Sequence, residues 1–258
     1  MLKCIDDAGR AGSNCAVLVA DEVTASTADQ RLTDSHYGGT PYAEAGDVWP
    51  TVAADSSEPA DFLIQVRLED IPSPWSGRLV VIFSRRDVDQ TIRCYVAPTP
   101  ERSMPLAGGP TPQREWRLNR IQIPKQPLID ADSAASSTNT RSGYLDYDPV
   151  VLVDTLPELK SELGAFTERP ADLLAAVLAP NHCGYGFELS HLVQLGGEPV
   201  WLHADLEGLD CEQCHRPMRF LFQFGDLNGG SVFDDGGVCY VFGCDNHPDQ
   251  PRGIVQVP

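Results

Sequence analysis

The chain has no long hydrophobic run. Its apolar stretches, such as LVVIF (residues 79–83) and LLAAVLA (173–179), fall far below the roughly 18 residues needed to span a bilayer. The opening MLKCIDDAGR also lacks the apolar core of a secretory signal. A soluble cytoplasmic protein with no membrane partner is therefore expected. In that reducing compartment its eight cysteines are expected as thiols or metal ligands rather than bridges. At 258 residues the chain can bury a substantial core, so neither disulfide nor metal is needed merely to hold it together.

Basic residues are scarce: 19 Lys/Arg stand against 37 Asp/Glu, a net charge of −18. The deficit is uneven, with 14 against 21 in residues 1–150 and 5 against 16 in residues 151–258. Such a surface repels nucleic acid and anionic membrane, favours a basic protein partner, and also serves plain solubility. The one locally basic piece spans Arg114, Trp116, Arg117, Arg120 and Lys125. Its aromatic and arginine interleaving suits single-stranded nucleic acid, but the opposing net charge argues instead for a strand with a solvated arginine face.

A recognisable catalytic constellation is also lacking. NHCGYG (181–186) sets His182 beside Cys183, with His191 nearby. Sequence neighbours seldom present their side chains to one another productively, and a nucleophile needs a base and an oxyanion site besides. An enzyme, a hydrolase using the His182/Cys183 region, stands as the alternative to a non-catalytic binding protein.

What is present is an internal repeat. YGGTPYAEAGDV (37–48) matches LGGEPVWLHADL (195–206), and at the same offset Pro59 falls on Pro217 and FLIQV (62–66) on FLFQF (220–224). With one extra residue, GRLVVIF (77–83) lies against GGVCYVF (236–242). Each copy reads as a Gly-Gly turn, an irregular loop, an apolar strand holding a glutamine, a second loop and a buried strand. Gly38, Gly39 and Pro41, with Gly196, Gly197 and Pro199, shape the turns; Gln65 and Gln223 need partners if buried and are expected to tie loops to strands.

The fold class that follows is mainly β, α+β with few short helices, built from two related halves packed as one unit. Residues 1–128 form the first half (copy 35–98 plus a proline-punctuated extension), 129–187 a polar linker loop and short helices, and 188–258 the second half. A capping box at Thr155–Glu158 and the run RPADLLAAVLA (169–179) predict the helices.

The second copy carries CEQC (211–214) and CDNH (244–247). A redox CxxC usually opens a helix, whereas this pair precedes a strand. Cys211, Cys214, Cys244 and His247 instead make two knuckles with the ligands of a closed tetrahedral zinc site, whose expected role is structural. Strand alternation turns Cys239 away from Cys244, toward the core. His203 and His215 are less well spaced substitutes. The first copy has none of these ligands, so only the second should bind metal.

YGGTPYAEAGDVWP, PADFLIQVRLEDIP and GRLVVIF resemble the bacterial YwqG-like family, and QLGGEPVWL, CEQCHRPMRFLFQF and VCYVFGC are similar to programmed-cell-death-2 type proteins sharing that domain. The resemblance covers residues 35–98 and 188–258. It implies a two-halved β fold and a protein-binding role, as a chaperone of a ribosomal protein or an immunity protein against a toxin. Asp205, Glu207, Asp210, Glu212, Asp234, Asp235 and Asp245 would then supply the charge that holds the basic partner.

Overall fold

In the computed structural model the described residues are 15–22, 32–69, 71–85, 89–104, 106–111, 115–123, 192–197, 199, 201, 209–225, 233 and 237–257. The proposed linker and helices of 129–187 lie outside them. The strands are β1 (Cys15–Glu22), β2 (His36–Tyr37), β3 (Asp61–Leu68), β4 (Arg78–Arg85), β5 (Asp89–Tyr95), β6 (Trp116–Ile123), β7 (Leu192–Leu195), β8 (Arg219–Gly225), β9 (Val238–Cys244) and β10 (His247–Gln256). Among the described residues the only helical piece is a single 3-10 turn, Pro100–Arg102, and no helix is long and apolar enough to cross a membrane.

All ten strands form one antiparallel sheet in the order β10-β9-β8-β7-β1-β6-β2-β3-β4-β5. The repeat is visible in its registers. His36 faces Gln65 as Gln194 faces Gln223. An extra residue interrupts β3 between Phe62 and Ile64, and another interrupts β8 between Phe220 and Phe222, at matching places. The mainly β fold of two related halves packed as one unit is thus present down to its bulges, where one strand carries one residue more than its partner.

The two central strands lie outside the repeated motif yet obey its symmetry. Val17 sits opposite Gln194 as Arg117 sits opposite His36, and Ala16 opposite Leu195 as Trp116 opposite Tyr37. Within the β1–β6 ladder Val17 pairs with Ile121 and Arg117 with Asp21, so an approximate twofold axis passes through the Val19–Asn119 pair. β1, which precedes the first copy in the chain, thereby completes the second, and β6 completes the first.

The sheet curls round until its two edge strands meet. β5 and β10 lie together, and a Cβ on Gly253 would come within 2.7 Å of Gln90 Oε1 and 3.0 Å of Ile92 Cδ1. The inner faces of both halves then share one core: Ile64 and Val66 of β3, Val80 and Ile82 of β4, Phe222 and Phe224 of β8, and Cys239 and Val241 of β9, with Trp75 among them. Each outer face is covered separately. Tyr42 and Trp49 close over Phe62, Val81 and Phe83; Trp201, Leu209 and Met218 close over Phe220, Tyr240 and Phe242. Strands buried on both faces explain why β3, β4, β8 and β9 read as nearly unbroken apolar runs.

The Gly-Gly turns serve the bulges. Gly38 and Gly39 have φ of 63° and 70°, and Gly196 and Gly197 70° and 76°. Two successive left-handed residues are tolerable only for glycine, and the turn lets the Gly38 N–H donate to the Leu63 carbonyl (3.2 Å) and Gly196 N–H to the Leu221 carbonyl (2.8 Å). Gln65, fully buried, accepts from the Tyr42 N–H at 2.8 Å and donates from Nε2 to the Leu32 and Asp34 carbonyls at 2.9 and 2.7 Å. Gln223 is buried at the matching position.

His36 and Gln194 occupy equivalent places and do the same work with different chemistry. His36 Nδ1 donates to the Gly38 carbonyl at 3.0 Å, and Gln194 Nε2 to the Gly196 carbonyl at 3.1 Å. Burial pulls the His36 imidazole down to about pKa 4, with the Gly38 carbonyl pulling weakly the other way. Above its ordinary 6.5 the ring is neutral whether the chain is folded or not; between 6.5 and 4 only the unfolded chain takes up a proton, so acid destabilises the fold across that window. The loss is on the order of 3 kcal/mol. His36→Gln, copying the second half, is expected to flatten the stability profile between pH 6.5 and 4 in denaturant titrations, and an unchanged profile would assign the acid sensitivity elsewhere.

Candidate metal centre

The loop before β8 folds back on itself. Asp210 bridges to Pro217, the Cys211 N–H donates to the Arg216 carbonyl at 2.9 Å, and Met218 N–H to the Leu209 carbonyl at 2.8 Å. The first copy closes its loop in the same way, with Thr51 bridged to Pro59, Val52 N–H on the Glu58 carbonyl (3.0 Å) and Ala60 N–H on the Pro50 carbonyl (2.8 Å). Where that first loop carries Ala53 and Ser56, the second carries thiols. Its turn is tightened by the His215 N–H reaching the Cys211 carbonyl at 2.8 Å, with His215 left-handed at φ 54°.

The other pair comes from the β9–β10 hairpin. Cys244 ends β9 and His247 begins β10 directly opposite, with only Asp245 and Asn246 between them. The four donor atoms lie within 4.8 Å of one another. Cys211 Sγ is 3.4 Å from His247 Nδ1, Cys214 Sγ 3.5 Å from Cys244 Sγ, and Cys244 Sγ 3.7 Å from His247 Nδ1. Cys211 and Cys244 are buried; Cys214 and His247 are half-buried. This cluster can hold a metal ion, and a tetrahedral ion bound by all four donors would have no free coordination position.

Its electrostatics divide the thiols. Burial pushes Cys214 up, but the backbone N–H at Arg216 and the contacts with Cys244, Asn246 and Cys211 outweigh it and bring the thiol to about pKa 6. Asn246 Nδ2 donates to Cys214 Sγ at 3.8 Å. Cys244 is held above its ordinary value, first by burial and then by the neighbouring thiols. The thiolate that metal binding requires is thus already favoured at one corner.

The remaining candidates are elsewhere. Cys239 is fully buried in the inner core, on the face opposite Tyr240 and Phe242, and burial raises its pKa. Cys94 sits half-buried beside Arg78. His215 is exposed. His203, His182 and Cys183 lie outside the described residues, as do Asp205, Glu207, Asp234 and Asp235. Of the other acids, Asp210 is exposed, and Glu212 pairs with Arg252 at 3.3 Å. Asp245 is already engaged: its Oδ2 takes Arg219 Nη2 at 2.6 Å, and its Oδ1 takes Arg219 Nε and Trp75 Nε1, each at 3.0 Å. The Arg219 guanidinium holds its carboxyl below the usual carboxylate range.

Trp75 is the residue the sequence did not single out. It stands in the β3–β4 connection of the first half, fully buried, with its ring so close to the backbone of β9 that a Cβ on Gly243 would lie 2.0 Å from Cζ2. Arg78 stacks on that ring at 5.9 Å and donates from Nη1 to the Pro248 carbonyl at 3.2 Å. A tryptophan in a Pro-Ser-Pro-Trp-Ser-Gly loop was the available signal, because so large an apolar side chain in a turn needs a place to be buried.

His215 occupies a position that glycine fills without strain. His215→Gly is expected to leave metal stoichiometry unchanged and to raise stability by roughly 1 kcal/mol, read by thermal unfolding; loss of the ion in this variant would make His215 a ligand.

The chain matches no protein-family model, no curated protein and no solved structure.

Proposed function

We propose that this protein is a non-catalytic, protein-binding protein of chaperone-like or toxin-immunity type, which holds a basic protein and is braced by one structural Zn²⁺ on Cys211, Cys214, Cys244 and His247. The observation that carries the reading is the completeness of the ligand set. Tetrahedral zinc with bonds of about 2.3 Å to sulfur and about 2.0–2.1 Å to nitrogen requires S···S edges of about 3.8 Å and S···N edges of about 3.5–3.6 Å. The cluster has 3.5 Å between the Cys214 and Cys244 sulfurs, and 3.4 and 3.7 Å from sulfur to the His247 nitrogen. Thiolate and imidazole donors in this shape suit zinc, and binding in such sites is worth on the order of 10 kcal/mol to the loops it joins. An ion so enclosed braces; it does not activate water.

The partner follows from charge. The described part of the second half is nearly balanced, with Asp210, Glu212, Asp245 and Asp249 against Arg216, Arg219 and Arg252. The other 12 of the 16 acidic residues of 151–258 stand on residues outside the described set, accompanied only by Lys160 and Arg169. The charge that holds the basic partner is proposed on Asp205, Glu207, Asp210, Glu212, Asp234, Asp235 and Asp245. The resemblance to the YwqG-like family and its programmed-cell-death-2 type relatives supports membership of that family and the same kind of role, in the cytoplasm.

Metal analysis of the purified chain is expected to give one zinc per molecule. Cys211→Ser is expected to lose most of it and to destabilise mainly the second half, whereas Cys239→Ser keeps it; full retention in Cys211→Ser would refute the ligand set. Affinity capture from the native host is expected to hold a single basic protein at low salt and release it at high salt. Absence of any stoichiometric partner would sink the binding reading and return attention to a substrate screen around His182 and Cys183.

A further inference from the structure

We propose that metal occupancy and closure of the seam between the two halves are thermodynamically coupled, so that Trp75 and Arg78 of the first half set the affinity of a metal site to which they contribute no ligand. The inference rests on the reading of Cys211, Cys214, Cys244 and His247 as a zinc site, and deepens it to regulation.

The coupling element is the five-residue hairpin 244–248. Its residues divide between two tasks. Cys244 and His247 supply donors to the cluster, and Asn246 donates to Cys214 Sγ. Asp245 accepts from Trp75 Nε1, and the Pro248 carbonyl accepts from Arg78 Nη1, both across the seam. The partners in each of these two bonds are 170 residues apart in the chain. Just before the hairpin, Gly243 leaves the space that the Trp75 ring fills, so the ring and the β9–β10 turn hold each other in one arrangement.

Within the second half the turn is also held by Arg219 of β8, which donates to both oxygens of Asp245. An ion joins it to the 211–214 knuckle, which is seated on the outer core through Leu209 and Met218. Trp75 and Arg78 join it to the first half. Beyond it, β10 runs along β5, with Gly253 against Gln90 and Ile92, although the two strands are the ends of the hydrogen-bonded order and are not paired with each other. No strand ladder among the described residues joins these two edges, and the hydrogen bonds of Trp75 and Arg78 cross the seam at the turn where β10 begins. When two equilibria share one element, each ligand shifts the other by the same factor: an ion that orders the turn favours closure, and a seam that orders the turn favours the ion.

Two measurements on the full chain test this. Zinc affinity is measured by competition with a chromophoric chelator for the unsubstituted chain, Trp75→Phe and Arg78→Met. Each variant keeps all four ligands and is expected to bind zinc at least 5-fold more weakly, the lower end of ordinary coupling between sites. Hydrogen exchange of the unsubstituted chain with zinc and after chelation is expected to show protection lost in residues 71–78 and 89–95, while 61–68 keeps its protection. Zinc bound with unchanged affinity in both variants, or identical exchange at 71–78 and 89–95, would overturn the coupling and leave the metal site standing. Uniform loss of protection through β3 and β4 would also overturn it, since the ion would then support the whole fold rather than the seam. Failure of the unsubstituted chain to bind zinc at all would remove the coupling together with the site.

Discussion

The β1–β6 ladder is the constraint on which the rest depends. Eight antiparallel residue pairs, centred on Val19 and Asn119, join two five-stranded halves into one sheet and set the twofold relation between them. Because β1 borders β7 while β6 borders β2, the second half takes its fifth strand from the start of the chain, whereas the first half draws all of its strands from residues 36–123. Folding the sheet about this ladder brings both inner faces onto one core. The meeting of β5 with β10, the burial of Trp75 and the placing of the turn that carries Cys244 and His247 at the seam are all results of that fold.

Much of this arrangement was legible in residues. The Gly-Gly turns, the glutamines and the paired apolar strands announced two copies, because each performs a backbone task that few other residues can: left-handed turns, three-way loop ties and burial on two faces. The knuckle spacing announced Cys211, Cys214, Cys244 and His247, and strand parity set Cys239 apart from them. β1 was not legible. CAVLVADE is short and stands alone before the repeat, and its place is decided by pairing with distant β6 and β7 rather than by its own composition. β5 and β10 were missed for a related reason, being edge strands with mixed polar and apolar residues whose inward face is completed by each other.

The seam was the least legible part of the candidate site. Trp75, Arg78 and Gly243 carry no ligand chemistry, and their importance comes from being close in space while far apart in sequence. Asp245 joins Arg219 to Trp75 in the structure, a contact that a charge count does not show.

The placing of β1 in the second half also has a consequence for synthesis. Of the described strands β1 leaves the ribosome first and can pair with β6 once residue 123 is available, but its other edge stays open until β7 at 192–195 has been made. The first half can therefore assemble while the second is still being translated, offering the growing chain a ready edge on which β7 and then β8 to β10 are laid in order. Cys244 and His247, the last of the four clustered donors in chain order, stand on the last two described strands, so the donor cluster is complete only when those strands are in place. A nascent chain halted before residue 244 would expose its newest strands without the turn that secures them.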